Sequence, residues 1–575
     1  MSTAPDNPPE LAPSATAAEP PTVSRVFGLA GLFAAVAGGV TLVAKSYDRG
    51  ILPEGAGYLL ALFGVLGMLV HAARDGDVEV RRLYGLFAAV LLVVAVVVGF
   101  YPGGPGRAVG ALFLPWGAGA ALVSLLFLVP FTRHETDEPY RGAAVNALQL
   151  VGAAAALGAV VGGLLKPDFL IGPGLALAVL GVGFLGAFLT TTDPNVGRGF
   201  RAAVGLGALG ALALAVGLGR SVVPTVLFDG PNALRTPLQA LDPWKVLARG
   251  FVIALGLGIA SFALRRSTPL WLKGILAVAG LAVAGVFVWG SFASPIKDPP
   301  AAYLVPYGLA LSLIGLLYLG LSLGTVSDAP FVVLMRRELA AYFTSPIAYL
   351  VLFGAAVVAG LGYLNFLSEL SRGPLPEPVV AVYSSLTILA AFQVVFLVPA
   401  VTMRLFAEER RTGTLEVLLT APVDEPVIVL SKFVAAWLFY LLSWLPALAF
   451  LVALRTAGGA AFEYQPVVSH MLAVAATGAG FVGMGLFFSS LTRNQVVAAV
   501  LTFAGMMFLL LTVWLQSNDR LAGGLQAVAG RVSYWNLWQQ ALAGQLPVAG
   551  VVVYLSLGVF WTFLTVKVLE ARRWT

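Results

Sequence analysis

The chain of 575 residues has no cysteine, which excludes disulfides, thiolate metal sites and redox pairs. Charge is scarce: 11% of residues are Asp, Glu, Lys or Arg, against about 25% in soluble proteins. No G-x-x-x-x-G-K-[ST] run occurs, so the chain has no P-loop through which to bind ATP. None of the 28 acids falls in the middle of an apolar run, where ion-coupled carriers hold an ionisable group. No nucleophile–base pair stands out as the site of an intramembrane enzyme. No cofactor is therefore expected on this chain.

What the chain has in abundance is apolar length. Hydrophobic residues make up 59% and the mean hydropathy is +0.91. Continuously apolar stretches of about 20 residues recur, each enough to cross a hydrocarbon core of about 30 Å as a helix. Their lack of alternation indicates helices rather than a barrel. The expected fold is an all-α polytopic membrane protein with about sixteen spans, at 26–44, 57–73, 83–101, 109–131, 143–165, 171–190, 202–219, 247–264, 272–291, 303–323, 347–366, 380–403, 433–454, 467–491, 496–516 and 549–568. Placing the N-terminus inside puts 21 of the 34 basic residues on inner segments. The positive-inside rule then predicts both termini in the cytoplasm. With the net charge of +6 lying at membrane edges, the expected partner is the bilayer and not nucleic acid. Residues 1–24 lack Lys and Arg and read as a disordered cytoplasmic tail rather than a signal peptide.

One inner segment breaks the pattern. Residues 404–426, RLFAEERRTGTLEVLLTAPVDEP, carry eight charged residues in 23. Gly413 permits a sharp turn. Thr414 is placed to cap a short helix LEVLLT with Glu416 in its first turn, and Ala421-Pro422 stops it. Asp424 is placed to cap the next helix, with Pro426 in its first turn and Lys432 at the membrane edge. The segment reads as two short helices and a polar elbow. Leu415, Leu418 and Leu419 would be apolar knobs for a soluble partner, with Glu408, Glu409, Arg410 and Arg411 setting orientation. The competing reading is an ordinary solvated loop. Upstream, 331–346 forms an amphipathic helix for the inner leaflet. Phe331, Val332, Met335, Leu339, Tyr342 and Phe343 share one arc, while Arg337, Ala340, Ala341 and Thr344 face away.

Together these features resemble the membrane subunits of type-2 ABC transporters, closest in flavour to the gliding-motility-associated permeases. The resemblance covers about residues 328–575. It rests on MRRELAAYFTSPIAYL, containing Arg336, Arg337, Glu338 and Tyr342, and on EERRTGTLEVLLTAPV, containing Glu408, Glu409, Arg410, Gly413, Thr414, Leu415, Glu416, Leu418, Leu419, Pro422 and Val423, followed by Lys432. Ser489, Ser490 and Arg493 in FFSSLTRNQ are similar to the family too. The resemblance implies a connecting helix at 331–346 and a coupling segment at 404–432 seated on a separate P-loop ATPase. That partner would bind the ATP and Mg, and the chain would work as a homodimer or with a second permease, in export. It also implies that Tyr534, Trp535 and Trp538 lie on short outer helices that gate the exit. The competing reading of 517–548 is an aromatic loop resting on the lipid surface.

Residues 25–327 form a ten-span membrane domain with no recognised relative. Asn146, Gln149 and Gln393 read as interhelical glue, and Gly205, Gly207 and Gly210 as sites of close helix packing. His71 and His134 at the inner edge, and His470 near an outer one, form no metal-site pattern. An alternative for the whole chain is a membrane scaffold or sensor of envelope or motility machinery.

Overall fold

In lipid every backbone polar group must be satisfied within its own segment, and a long apolar run does so only as a helix. The computed structural model describes residues 22–46, 52, 54–74, 77–100, 113–194, 196–222, 307–373, 388–420, 422–448, 465–516 and 523–573, with isolated positions between 250 and 288. Among the described residues there are helices and no strands. Eleven of these helices are long and apolar enough to cross a membrane, and Ala56–Ala72 and Ala118–His134 are shorter apolar helices. The protein is a multi-pass membrane protein. The spans expected at 247–264 and 272–291 lie outside the continuously described residues, as do the tail 1–21 and part of the outer loop 517–548. The span expected at 380–403 is described from Ile388 onward.

The chain forms two compact units. One contains the residues up to Gly219 and Ala310–Ser322; the other contains Leu323–Thr575. The first unit includes α1 (Thr22–Ser46), α2 (Glu54–Arg74), α3 (Val78–Phe100), α4 (Ala118–His134), α5 (Glu138–Leu165), α6 (Pro173–Thr191), α7 (Gly197–Val222) and most of α8 (Leu309–Val326). Helices α1 and α2 pair antiparallel at very close range: a Cβ built on Gly64 would lie 2.2 Å from the Ala35 backbone nitrogen. His71 is buried on α2, where its Nδ1 meets the Tyr84 hydroxyl at 2.8 Å. It therefore has the helix-packing partner that sequence spacing did not show. Glu135, between α4 and α5, is buried, with Arg81 and Arg82 at 3.9 and 4.0 Å. Its Oε1 accepts from the Thr136 and Asp137 amides.

The second unit continues with α9 (Pro330–Thr344), α10 (Pro346–Arg372), α11 (Ile388–Thr402), α12 (Ala407–Thr412), α13 (Thr414–Thr420), α14 (Glu425–Leu442), α15 (Gln465–Leu491), α16 (Gln495–Gln516), α17 (Gly523–Val532), α18 (Tyr534–Leu542) and α19 (Val548–Arg573). Helix α15 is the most buried of the candidate spans and packs against α14, α16, α18 and α19. Its Phe481 shares a core with Tyr440, Tyr534, Trp538 and Tyr554.

Two glycines of the first unit make a matched test of this packing. Gly64→Val should lower the melting temperature of the detergent-solubilised protein by several degrees, since α1 must move away. Gly39→Val, where an added Cβ meets nothing within 4 Å, should leave it nearly unchanged. Thermal unfolding of both variants checks this, and equal effects would contradict it.

Candidate functional site

Between α11 and α14 the chain leaves its apolar run, turns through 403–406 and folds the short α12 and α13 back against the unit. Phe406 precedes α12 and has no side chain to cap it. Ser489 of α15 supplies the cap instead: its buried hydroxyl accepts from the Phe406 and Ala407 amides at 3.1 and 3.2 Å and donates to the Met403 carbonyl at 3.1 Å. Arg410 donates to the Ser490 carbonyl at 3.1 Å, near the C-terminus of α15, where a cation is favoured.

Gly413 joins α12 to α13 with φ +74° and ψ 0°, a left-handed conformation that disfavours L side chains. An added Cβ there would meet nothing within 4 Å, so the backbone angle alone calls for glycine. Thr414 begins α13, but its hydroxyl turns back to Thr412 Oγ1 at 3.0 Å instead of capping the helix. The expected stop before α14 is present, with Asp424 as the residue preceding the helix and Pro426 within its first turn; the Asp424 side chain makes no capping bond.

At the foot of this elbow lies a cluster of four charges. Lys432 on α14 is 2% exposed, and its Nζ lies 2.8 Å from Glu409 Oε1 and 3.0 Å from Glu338 Oε2. Arg337 on α9 closes the cluster at 2.8 Å from Glu338 Oε1 and 3.7 Å from Glu409 Oε1. The Phe406 ring centroid lies 5.4 Å from the ammonium. Two acids and two bases leave the cluster neutral, with Lys432 buried at its centre and Arg337 on its exposed side, so the buried ammonium is paired as its desolvation demands. Glu409 Oε2 is buried without a hydrogen-bond partner among the described residues. Burial pushes the Glu338 carboxyl up, but Lys432 and Arg337 outweigh it and hold the group below the usual carboxylate range.

The same contacts redraw the face of α9. Leu334, Leu339 and Tyr342 pack against the core of the unit, so Glu338 lies within the packed stripe. The Tyr342 ring stacks on Phe439 of α14 at 4.6 Å, and its hydroxyl donates to the Val401 carbonyl at 2.9 Å. Arg337, expected to face away, bridges to the elbow. Arg336 donates to the Gly324 and Thr325 carbonyls near the end of α8. On the other side of the elbow, Arg404 pairs with Glu408 at 2.7 Å and donates to Ser345 Oγ. A cavity of about 900 Å³ opens between α9, α11, the elbow and α14, lined in part by Glu338, Arg404, Glu409, Val417, Lys432 and Phe439.

The structure therefore divides the segment differently from the sequence expectation. Leu415 is buried in the unit's own core, and Leu418 and Leu419 pack against it, so these knobs face inward. Glu408, Glu409 and Arg410 have partners within the chain. The outward-facing positions are Arg411, Thr412, Gly413, Thr414, Glu416, Val417 (71% exposed), Thr420 and Pro422. Neither Arg411 nor Glu416 makes an ion pair among the described residues. Lys432 and Ser489 were visible in sequence only as motif positions, and their partners lie too far along the chain for local spacing to reveal.

In the aromatic region after α16 it is the competing reading, a loop resting on lipid, that the structure does not bear out. Helices α17 and α18 are two short helices, and Tyr534 and Trp538 are buried in the unit rather than resting on lipid. Trp538 Nε1 donates to Thr477 Oγ1 at 3.2 Å and its ring meets Trp444 edge-on at 5.4 Å. Trp535 is partly buried against the same core. His470 packs between the Trp444 and Trp538 rings, a structural position in the first two turns of α15.

Residues 369–529 match the family model described as ABC-2 family transporter protein. The match supports an ABC transporter permease, a transport subunit rather than an enzyme. It takes in the elbow, Lys432, Ser489 and Ser490, and leaves α9 and α18 outside. No curated protein and no solved structure matches the chain.

Two predictions follow from the charge cluster. Lys432→Met removes the buried cation from between two largely covered carboxylates, leaving them only the exposed Arg337, and should cost about 3 kcal/mol of stability. Adding Glu338→Gln and Glu409→Gln should restore most of it, as thermal unfolding of the four proteins would show; an additive series would refute the cluster's role. The second concerns acid. Because Glu338 is held below its unfolded value, its anion contributes fully above the ordinary carboxylate pKa, about 4.5, and that contribution is lost as pH falls through the lower folded value. The melting temperature should therefore fall more steeply below pH 4.5 in the native protein than in Glu338→Gln.

Proposed function

We propose that this chain is the permease subunit of an ATP-powered type-2 exporter, with segment 404–432 docking on a separate P-loop ATPase in the cytoplasm. The observation that carries the reading is the Lys432 cluster. It ties one two-helix elbow to both α9 and α14 through buried charges, so a displacement of the elbow is passed directly to a span. ATP and Mg belong to the partner ATPase, whose closure would press on the exposed edge formed by Arg411, Thr414, Glu416 and Val417.

Leu415, Leu418 and Leu419 act in this scheme as the attachment of the elbow to the permease, and Glu409 and Arg410 as its struts. Glu409 lines the cavity beside the cluster, and its Oε2 is buried without a hydrogen-bond partner among the described residues. Helices α17 and α18, with Tyr534, Trp535 and Trp538, serve as the exit gate. Because they are locked into α15 and α19, the gate moves with the spans. The functional unit is a dimer, of two such chains or of this chain with a second permease, and it sits in a bacterial cytoplasmic membrane.

Charge reversal at the exposed edge separates docking from folding. Glu416→Lys should leave the melting temperature within a degree or two of native while abolishing co-purification of a stoichiometric ATPase from native membranes. Gly413→Val should also lose the ATPase, with a destabilisation of about 1–2 kcal/mol from the left-handed backbone. Recovery of the ATPase with both variants would refute the docking assignment. Absence of any ATPase from the native preparation would favour the scaffold or sensor reading.

A further inference from the structure

The first unit holds a groove of about 900 Å³ along one side of α5 and α7, floored by Ala156 and Leu185. Most of its length is apolar, bordered by Leu150, Leu157, Leu209 and Leu212. Its polar groups are gathered at one end: Asn146 and Gln149 near the start of α5, Arg198 and Arg201 at the start of α7. Arg198 Nη1 donates to Asn146 Oδ1 at 3.3 Å, and Arg201 Nε to the Gly197 carbonyl at 3.3 Å. Among the described residues neither guanidinium makes an ion pair and no acid lines the groove. This end is the one that the distribution of basic residues assigns to the inner membrane edge.

Small residues make the groove. Ala153 on α5 and Ala202, Gly205 and Ala208 on α7 line it, and a Cβ added to Gly205 would meet nothing within 4 Å. Its neighbours behave differently: at Gly207 and Gly210 an added Cβ would collide with α8, at Ser322 Oγ and the Gly315 carbonyl. From Arg198 to Leu212 the helix rises about 21 Å, more than the roughly 15 Å that one leaflet contributes to a 30 Å core.

We propose that this groove holds one anionic phospholipid of the inner leaflet. Arg198 and Arg201 bind the phosphate, Asn146 and Gln149 hydrogen-bond the glycerol and ester region, and an acyl chain lies along the small-residue floor between Leu150 and Leu212. The layout favours a lipid over a second protein helix. A guanidinium pair matches a phosphate by charge and by geometry, while the apolar remainder suits hydrocarbon. A soluble phosphate would leave the apolar length unexplained.

The test is native mass spectrometry of the full chain in a mild detergent, titrated separately with phosphatidylglycerol and phosphatidylcholine. The native protein should retain one phosphatidylglycerol at least about tenfold more tightly than phosphatidylcholine. Arg198→Gln with Arg201→Gln should abolish that preference, and the Lys pair should keep part of it. Gly205→Trp, which fills the groove from a position with free space, should lose the bound lipid with no change in melting temperature. Equal retention of both lipids by the native protein, or unchanged phosphatidylglycerol binding in Gly205→Trp, would overturn the proposal. So would a change of oligomeric mass in Gly205→Trp with lipid binding intact, which would make the groove an interface between copies.

Discussion

A buried lysine ammonium is the constraint around which the second unit is arranged. Moving such a charge out of water costs several kcal/mol even after relaxation, and Lys432 is 2% exposed about two turns into the apolar helix α14. That cost is offset only if anions are delivered to the same nitrogen, and here two segments distant in sequence deliver them. Glu338 comes from α9, before the first span of the unit, and Glu409 from α12, after the second. Each carboxylate needs the lysine as much as the lysine needs it. The elbow cannot swing free, nor can α9 drift away from α14, without exposing an unpaired charge to a medium that penalises it.

The remaining contacts make this attachment stiff. Ser489 holds the first amides of α12, Arg410 reaches the Ser490 carbonyl, and Leu415 is embedded in the core. The elbow is thus fixed to α14 by charge and to α15 by hydrogen bonds, while Gly413 sets the angle between its two helices. What is left facing outward is a narrow edge that includes Arg411, Glu416 and Val417, where neither Arg411 nor Glu416 makes an ion pair among the described residues. The proposed docking role calls for such a distribution: a rigid anchorage to the spans, and an exposed edge for contact. A solvated loop would show the reverse, with its apolar residues outward or absent and its charges unpaired.

Hydropathy made the spans legible because a membrane helix is defined by composition over about 20 residues. Gly413, Pro422 and Pro426 marked the breaks in the elbow because backbone angles are local properties. The direction of Leu415, Leu418 and Leu419 was not legible. In a helix of seven residues, periodicity places these leucines on one side without saying whether that side meets the protein or a partner. Lys432 was equally ambiguous, since a basic residue before a span serves the positive-inside rule whether solvated or buried. Its buried role depends on Glu338 and Glu409, and no local window contains all three. Tyr534, Trp535 and Trp538 share this ambiguity: an aromatic belt at an interface and an aromatic cluster inside a protein have the same composition.

Glycine-rich helices show why composition alone stops short of function in this chain. At Gly64 small size is used to bring two backbones together, and at Gly207 and Gly210 to seat α7 on α8. Gly205 belongs to the same run, GLGALGALAL, and reads identically in sequence, yet it faces empty space in a groove with two arginines at its mouth. A small residue removes side-chain volume; whether a neighbouring helix or another molecule takes that volume depends on the rotation of the helix about its axis. A change of two positions along α7 is about 200° of rotation, enough to turn from a packed seam to an open face. Helix packing and ligand space are therefore encoded by the same residues, and they are separated by which face each residue occupies.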